Sequence, residues 1–204
     1  LRTPDSPTQR FGGGVAEGLP RVRHPAPILS LGNAYSAEEV RAWLDRAVRL
    51  DPRAAETEFV VEPKMDGLTV VLTYSRGVFS QGATRGDGGT GEDVTTNLRT
   101  VRNLPLRIPV EDGGPAAPRR LVVRGEAYIP VADFETMNER LRQAEERTFL
   151  NPRNAAAGAL RQLDSSLTAS RPIRFLAYEI VEGDRTPKTQ WGTLQLLREL
   201  GFSV

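Results

Sequence analysis

The 204-residue sequence contains no cysteine and only one histidine, His24. Without thiols the chain cannot form disulfides, iron–sulfur clusters, cysteine zinc sites or a cysteine nucleophile. A single histidine excludes histidine-rich metal sites and leaves at most one Ser–His pair for nucleophilic catalysis. No run approaches the ~18 consecutive apolar residues that a membrane span needs. Any chemistry must therefore come from lysine, arginine, carboxylate, hydroxyl and backbone groups.

Lysine is also scarce, because Lys64 and Lys188 are the only two among 27 basic residues. With 26 acidic residues the net charge is +1, which is not that of a globally basic nucleic-acid binder. Arginine stays protonated in proteins, whereas lysine can lose its proton when buried. The two lysines are therefore candidates for a chemical role, although a bias in composition would leave the same pair.

The order of predicted elements indicates the fold class. Residues 1–27 are interrupted by proline and glycine, which predicts an extended arm or loop. Ser36 and Glu39 form a capping box ahead of a helix that ends at Pro52. Further on, the patterns predict strands over 59–61, 68–74, 121–129 and 173–181, and helices starting near 90–93, after 129, at 151–152 and over 193–200. Hairpins with intervening helices predict an α+β fold of mainly antiparallel sheets with packed helices.

The segment Glu62-Pro-Lys-Met-Asp-Gly67 is the first candidate site. Pro63 ends the predicted strand and Gly67 provides a turn, so Lys64 is expected at a corner between strands, flanked by Glu62 and Asp66. Either this is an exposed surface turn or Lys64 is a nucleophile. At a pKa of ~10.4 only roughly one lysine in 2,500 is neutral at pH 7. A nucleophilic lysine therefore needs burial or nearby cations to lower its pKa.

A glycine-rich segment covers residues 82–93, and Gly86, Gly88 and Gly91 match G-x-G-x-x-G. The match does not indicate a Rossmann unit, because the preceding segments predict an antiparallel meander and the following one is a poor core strand. Two interpretations remain open. The segment is a hairpin loop, or a loop that places Arg85 near a phosphate or carboxylate.

Two residues on predicted strands could contact a ligand. Glu126 shares a strand face with Arg124 and Tyr128, either as a solvated carboxylate or as an acceptor for a ligand hydroxyl or metal. Tyr178 alternates with apolar neighbours, so it packs in the core or stacks on a nucleobase.

Two arginines lie eight residues apart on the predicted alanine-rich helix. At 100° per residue, Arg153 and Arg161 fall within about 80° of each other, so both could face one ligand or both could be exposed. His24 lies in an apolar, proline-rich loop and is predicted to be structural.

Five motifs, taken together, resemble the nucleotidyltransferase (adenylation) domain of bacterial NAD-dependent DNA ligases. Lys64-Met-Asp-Gly67 is similar to the adenylation motif K-x-D-G. The more specific matches, in the family's order, are His24-x-x-Pro27-x-Leu-Ser-Leu31-x-Asn33, Thr84-Arg-Gly-Asp-Gly88 with Gly91-Glu-Asp93, Arg124-Gly-Glu126, and Asn151-Pro-Arg-Asn-Ala-Ala-Ala-Gly158 with Leu160-Arg-Gln162. The likeness covers Asp5 to the C-terminus and implies a core of the type shared by DNA ligases and mRNA capping enzymes.

The resemblance implies a reaction. Lys64 would attack the α-phosphate of NAD, release nicotinamide mononucleotide and carry AMP as a lysine–AMP phosphoramidate. AMP would pass to a DNA 5′-phosphate, and a 3′-hydroxyl would displace it to seal the nick during DNA replication and repair. Magnesium or manganese would assist, with no ligands assigned.

The resemblance also implies site residues on the adenine side. Glu62 would bind there together with the backbone around Ser30 and Leu31, and Tyr178 would stack on the base. Arg85 and Glu126 would hold the ribose, with Arg85 also near phosphate.

The remaining implied residues are Arg153 and Arg161, which would meet phosphates of the cofactor or of nicked DNA. In the full-length protein the partner would be nicked duplex DNA, in the cytoplasm, with a monomeric enzyme and no membrane. Zinc would belong only to a module outside this chain.

Residues 28–204 are expected to be a partial adenylation domain. The family's nicotinamide-binding subdomain would precede it, and motifs with two further catalytic lysines and the DNA-binding modules would follow. Lys188 matches neither of those lysines. We therefore expect the isolated fragment not to seal nicks and to use NAD poorly or not at all.

Two alternatives stay open, one within enzymes and one from another class. The chain could be a related lysine nucleotidyltransferase that uses ATP or GTP, which substitution of ATP for NAD would reveal. It could also be a DNA-binding module with vestigial catalytic residues, in which case Lys64→Ala would change no activity.

Overall fold

A computed structural model describes residues 18–111 and 113–204. Six strands are β1 (Arg21–Arg23), β2 (Leu68–Ser75), β3 (Val78–Thr84), β4 (Thr90–Glu92), β5 (Arg120–Tyr128) and β6 (Arg174–Gly183). Six α-helices are α1 (Ala37–Leu50), α2 (Thr95–Leu98), α3 (Val131–Gln143), α4 (Pro152–Leu160), α5 (Ser165–Ala169) and α6 (Gln190–Glu199). The predicted arm over 1–27 lies mostly outside the described residues, and within it β1 is a strand rather than a loop.

The strands form two antiparallel sheets. The larger has the order β3-β2-β5-β6, and the smaller pairs β1 with β4. The β5–β6 ladder is irregular between Val122 and Val123 and between Arg124 and Gly125. The predicted α+β class with antiparallel sheets and packed helices is confirmed.

One face of the large sheet builds the apolar core. Along β2, Val70, Leu72 and Tyr74 are completely buried in the main core cluster, while Thr69 and Thr73 are only partly buried. This period of two is what a strand with one covered face requires. Val71, on the same face as these threonines, is buried in a separate small apolar cluster with Ile28 and Val122. The helices that cover the core face carry their own apolar residues toward it, including Leu98, Leu160 and Leu197.

Helix α4 packs against β2 and β5 through small side chains. Ala155, Ala156 and Ala159 are buried, so the helix backbone approaches the sheet closely. At its start, the Asn151 side chain accepts a hydrogen bond from the Asn154 amide at 2.7 Å. The predicted cap at Asn151 with Pro152 in the first turn is thereby confirmed.

A buried polar network joins three helices and includes the short helix α5, which the pattern did not predict. The Asn97 side-chain amide on α2 donates to the Gln162 carbonyl and to the Thr168 hydroxyl, each at 2.8 Å. Thr168 on α5 in turn donates to the Ala159 carbonyl of α4 at 2.7 Å. Each donor is satisfied inside the protein, so the network fixes how these helices pack.

Two predicted elements are wrong. No strand forms over 59–61; Phe59 instead packs edge-to-face on Trp43, with ring centroids 5.8 Å apart. The predicted helix start at 90–93 is strand β4, and α2 begins at Thr95, whose amide bonds the Asp93 carboxylate. Gly91 explains this, because a Cβ there would lie 1.7 Å from the Thr84 carbonyl oxygen, so only glycine permits this close strand crossing.

The chain divides into two compact units. The larger contains the residues up to Ile28 together with Lys64–Val204, and the smaller is Leu29–Pro63. In the smaller unit the predicted cap of α1 is confirmed, since the Ser36 hydroxyl accepts from the Glu39 amide at 3.2 Å. Within 18–111 and 113–204, no helix has the length and apolar character needed to cross a bilayer.

Candidate active site

The face of the large sheet opposite the core carries polar side chains. Thr69 on β2 and Glu126 on β5 are directly paired in the ladder, so their side chains project from the same face. Arg124 lies two residues earlier on β5, and Tyr178 lies on the neighbouring β6. Three adjacent strands thus bring together a hydroxyl, a carboxylate, a guanidinium and a phenol.

Glu126 is the most buried ionisable group in this cluster, with 8% of its surface exposed. Its Oε1 accepts a hydrogen bond from the Gly67 amide at 3.2 Å, and its Oε2 accepts one from the Thr69 hydroxyl at 2.9 Å. Burial raises the pKa of Glu126, while these two bonds and the charges of Lys64 and Arg153 act in the opposite direction. Glu126 is therefore not a solvated surface carboxylate.

Lys64 lies on the segment that leads into β2 and is exposed. Its charge nevertheless acts on Glu126, as does that of Arg153, so two cations lie near one buried carboxylate. Gly67 lies in a bend that leads into β2, where a turn was predicted. A Cβ at Gly67 would lie 2.1 Å from the Ala127 carbonyl oxygen, so glycine is required because the corner presses against β5.

Tyr178 is half-buried and lies outside the apolar core cluster. The Arg124 guanidinium lies over its ring, 5.5 Å from the centroid, and also bonds Glu179 at 3.0 Å. Burial is the main cause that raises the pKa of the Tyr178 phenol, and Glu126 adds to it, while Arg124 opposes it. Of the two interpretations of Tyr178, core packing does not describe its position.

The glycine-rich loop after β3 is held by hydrogen bonds to the Asp87 side chain. Asp87 accepts hydrogen bonds from the Gly89 and Thr90 amides at 2.8 and 2.7 Å, which lower its pKa. Gly86 and Gly88 have positive φ angles of 56° and 96°, and a Cβ at Gly86 would lie 1.9 Å from the Thr90 carbonyl oxygen. The glycines thus serve the tight turn.

Arg85 begins this loop, and its backbone is fixed on both sides. Its amide donates to the Thr69 carbonyl at 3.1 Å, and its carbonyl lies 3.1 Å from His24 Nε2. The His24 amide also donates to the Gly89 carbonyl at 2.9 Å. His24 therefore has the structural role predicted for it. Arg85, one residue after β3, lies beside Thr69 of β2.

Arg153 and Arg161 lie at opposite ends of α4, each in an exposed ion pair. Arg153 Nη1 is 3.0 Å from Asp66 Oδ1, beside Lys64, and Arg161 Nε is 2.7 Å from Glu92 Oε2 on β4. The first pair links α4 to the Lys64 segment, and the second links it to the smaller sheet.

Three predicted site residues belong to the smaller unit: Ser30, Leu31 and Glu62 are all exposed. Within the described parts of the chain, no group of three or more His, Asp and Glu side chains is arranged to hold a metal ion.

Thr69 was not predicted as a partner of Glu126. A signal was present, because Thr69 lies two residues after Gly67 at the start of an apolar strand. The pairing of β2 with β5, which sets Thr69 opposite Glu126, could not be deduced from the sequence pattern alone.

Comparison with known proteins identifies the family. The family model of the NAD-dependent DNA ligase adenylation domain matches residues 16–204. The chain belongs to this family. It is 54% identical to a DNA ligase of Herpetosiphon aurantiacus, 55% to one of Thermomicrobium roseum and 50% to one of Methylococcus capsulatus.

These matches cover the whole of this chain, but only 30%, 29% and 30% of the respective relatives. The adenylation-domain chain thus spans about a third of the length of its curated relatives.

Proposed function

We propose that this chain is the adenylation core of an NAD-dependent DNA ligase and that Lys64 is the residue that accepts AMP. The supporting observation is a hydrogen bond from the Gly67 amide, three residues after Lys64, to Glu126. Glu126 lies on the polar face of the sheet, and the other face of this sheet builds the core. The antiparallel sheet with packed helices would form a nucleotidyltransferase core of the type shared with mRNA capping enzymes.

In the proposed step, the neutral amine of Lys64 attacks the α-phosphorus of NAD. A P–N bond forms, the P–O bond to the nicotinamide mononucleotide phosphate breaks, and that nucleotide leaves with the bonding electrons. The nitrogen gives up a proton as the phosphoramidate forms. Exposure of Lys64 leaves the amine accessible to the phosphate.

Glu126 and Tyr178 would bind the nucleoside. Each Glu126 oxygen accepts one hydrogen bond from the protein, half of its usual acceptor capacity, so ribose hydroxyls can donate to the remaining lone pairs. The Tyr178 ring would stack on adenine, and Arg85 would reach the ribose and phosphate from its fixed backbone.

Arg153 and Arg161 would bind phosphates of the cofactor or of DNA. Both are paired with exposed carboxylates in this structure. Such surface ion pairs contribute only about 0–1 kcal/mol to stability, so exchange of the carboxylate for a phosphate costs little free energy. In the smaller unit, Glu62 and the backbone around Ser30 and Leu31 would bind the adenine side.

For the longer protein we propose sealing of nicked duplex DNA in replication and repair, in the cytoplasm and as a monomer. A divalent cation, magnesium or manganese, would support the phosphoryl chemistry. No described side chains are assigned to it, and no step above depends on it.

The test is a longer protein in which this chain replaces the matching segment of the Herpetosiphon aurantiacus relative. We expect this chimera to seal a nicked duplex with NAD and not with ATP, and the Lys64→Ala chimera not to seal it. Sealing with ATP alone would instead indicate an ATP-dependent nucleotidyltransferase. Equal sealing by the Lys64→Ala chimera would refute the role of Lys64. The 204-residue chain alone is expected not to seal nicks.

A further inference from the structure

The Thr69 hydroxyl occupies a central position on the polar face of the sheet. It donates to Glu126 Oε2 at 2.9 Å. One side chain on β2 therefore contacts the carboxylate on β5 that the proposed function assigns to the ribose.

The direction of this bond follows from the number of protons. A threonine hydroxyl has a single proton, and an ionised carboxylate can only accept. Thr69 is therefore the donor, and its one proton is directed at Glu126 Oε2.

The second Glu126 oxygen is held by the Gly67 amide at 3.2 Å. With both oxygens anchored, the plane of the carboxylate is set, and its remaining lone pairs point in fixed directions. A pair of neighbouring hydroxyl groups would then meet an acceptor that does not need to reorient, which favours binding. Without the Thr69 bond, only the Gly67 amide would hold the carboxylate, which could then rotate about the Cγ–Cδ bond.

We propose that Thr69 is a positioning residue that holds the Glu126 carboxylate in the orientation that accepts the ribose hydroxyls of the adenylate. The inference rests on the proposed function, because it assigns the ribose to Glu126. Thr69 itself does not touch the nucleotide.

The experiment measures the binding of AMP and of 2′,3′-dideoxy-AMP to the 204-residue chain by calorimetry. Thr69→Val removes the hydroxyl with little change in shape, and Thr69→Ser keeps it. Thr73→Val is the matched control, since Thr73 lies on the same strand and face and is also partly buried. Thermal unfolding checks that each variant is folded.

We expect Thr69→Val to weaken AMP binding about tenfold, because the hydrogen bond that is lost holds a charged acceptor. Binding of dideoxy-AMP should not change, because this nucleotide lacks the ribose hydroxyls that would donate to Glu126. Thr69→Ser should restore the preference for AMP, and Thr73→Val should match wild type.

Equal weakening of both nucleotides by Thr69→Val would overturn the positioning role, as would unchanged binding of both. In either case the proposed function would stand, provided that the wild-type chain prefers AMP. A wild-type chain that binds both nucleotides equally would instead contradict the assignment of the ribose to Glu126, and with it both proposals. If Thr69→Val does not fold, failure of Thr69→Ser to keep the preference would overturn the inference.

Discussion

The two faces of the four-stranded sheet use the same strands for different purposes. On the core face, Tyr74 is completely buried and its hydroxyl donates to the Pro105 carbonyl at 2.7 Å, so its polar atom is satisfied within the protein. On the opposite face, Glu126 is almost as buried, but each of its carboxylate oxygens accepts only one hydrogen bond from the protein. The difference indicates that one face supplies stability and the other retains hydrogen-bonding capacity for a ligand.

Period-two alternation makes this division possible within single strands. Residues next to each other on β2, such as Thr69 and Val70, belong to opposite faces. A substitution on the core face should therefore affect stability, and a substitution of a polar residue on the opposite face should affect chemistry. The following predictions test that separation.

The largest effect is expected at Lys64. Lys64→Ala should abolish attachment of AMP, because no other side chain in the proposed step can replace the amine. The free energy of unfolding should change by less than about 0.5 kcal/mol, since Lys64 is exposed. Labelled AMP transfer from NAD in the chimera and urea unfolding of the 204-residue chain measure the two effects. Lys188→Ala, at the other exposed lysine, should leave both unchanged.

A large change in stability is expected on the core face. Phe175 is completely buried on β6, so Phe175→Ala should lower the free energy of unfolding by about 3–5 kcal/mol. Leu176→Ala, next to it on the other face and only partly buried, should cost clearly less. Comparable losses in urea unfolding would contradict the separation of the two faces.

Gly67 is expected to affect both stability and ligand binding. Gly67→Ala places a Cβ 2.1 Å from the Ala127 carbonyl oxygen, so the Lys64 segment must move from β5. We expect a loss of about 1–3 kcal/mol in stability and a weaker bond from the Gly67 amide to Glu126, hence weaker AMP binding. Gly89→Ala is the control, because a Cβ there meets its nearest atom at 3.6 Å. An unchanged Gly67→Ala protein would show that this close packing is not required.

The smallest effect is a pH dependence at Glu126. Burial raises the pKa of Glu126 in the folded protein above its value in the unfolded chain, so ionisation opposes folding. The stability that Glu126 contributes is present below its unfolded pKa and is lost as the pH rises through its folded pKa. Glu126→Gln cannot ionise, and its stability relative to wild type should therefore increase over this pH range.

Urea unfolding at pH values from about 4 to 8 measures this difference. Glu135→Gln replaces an exposed carboxylate on α3 and should give a curve parallel to wild type. A parallel curve for Glu126→Gln as well would contradict the influence of burial on its pKa.

Local signals in the sequence predicted the elements whose structure is locally determined. The caps at Ser36 and Asn151 were predicted correctly, because each depends on a side chain bonding an amide three residues away. The prediction that Arg124 and Glu126 share one face of β5 was also correct, since Leu121 and Val123 belong to the core on the other face.

The errors occur where distant segments decide the structure. The strand β4 replaces a predicted helix start because Gly91 crosses Thr84 and pairs with Val22, contacts that no local pattern contains. In the same way, Glu126 was recognised as a candidate, but its anchoring by Thr69 depends on the pairing of β2 with β5.

The most direct test of the central claim is peptide mass spectrometry of the chimera after incubation with NAD. The account predicts one adenylyl group on the peptide that contains Lys64, formed with NAD and absent after ATP or in Lys64→Ala. An adenylyl group on another residue, or no adenylyl group with NAD in the wild-type chimera, would contradict it.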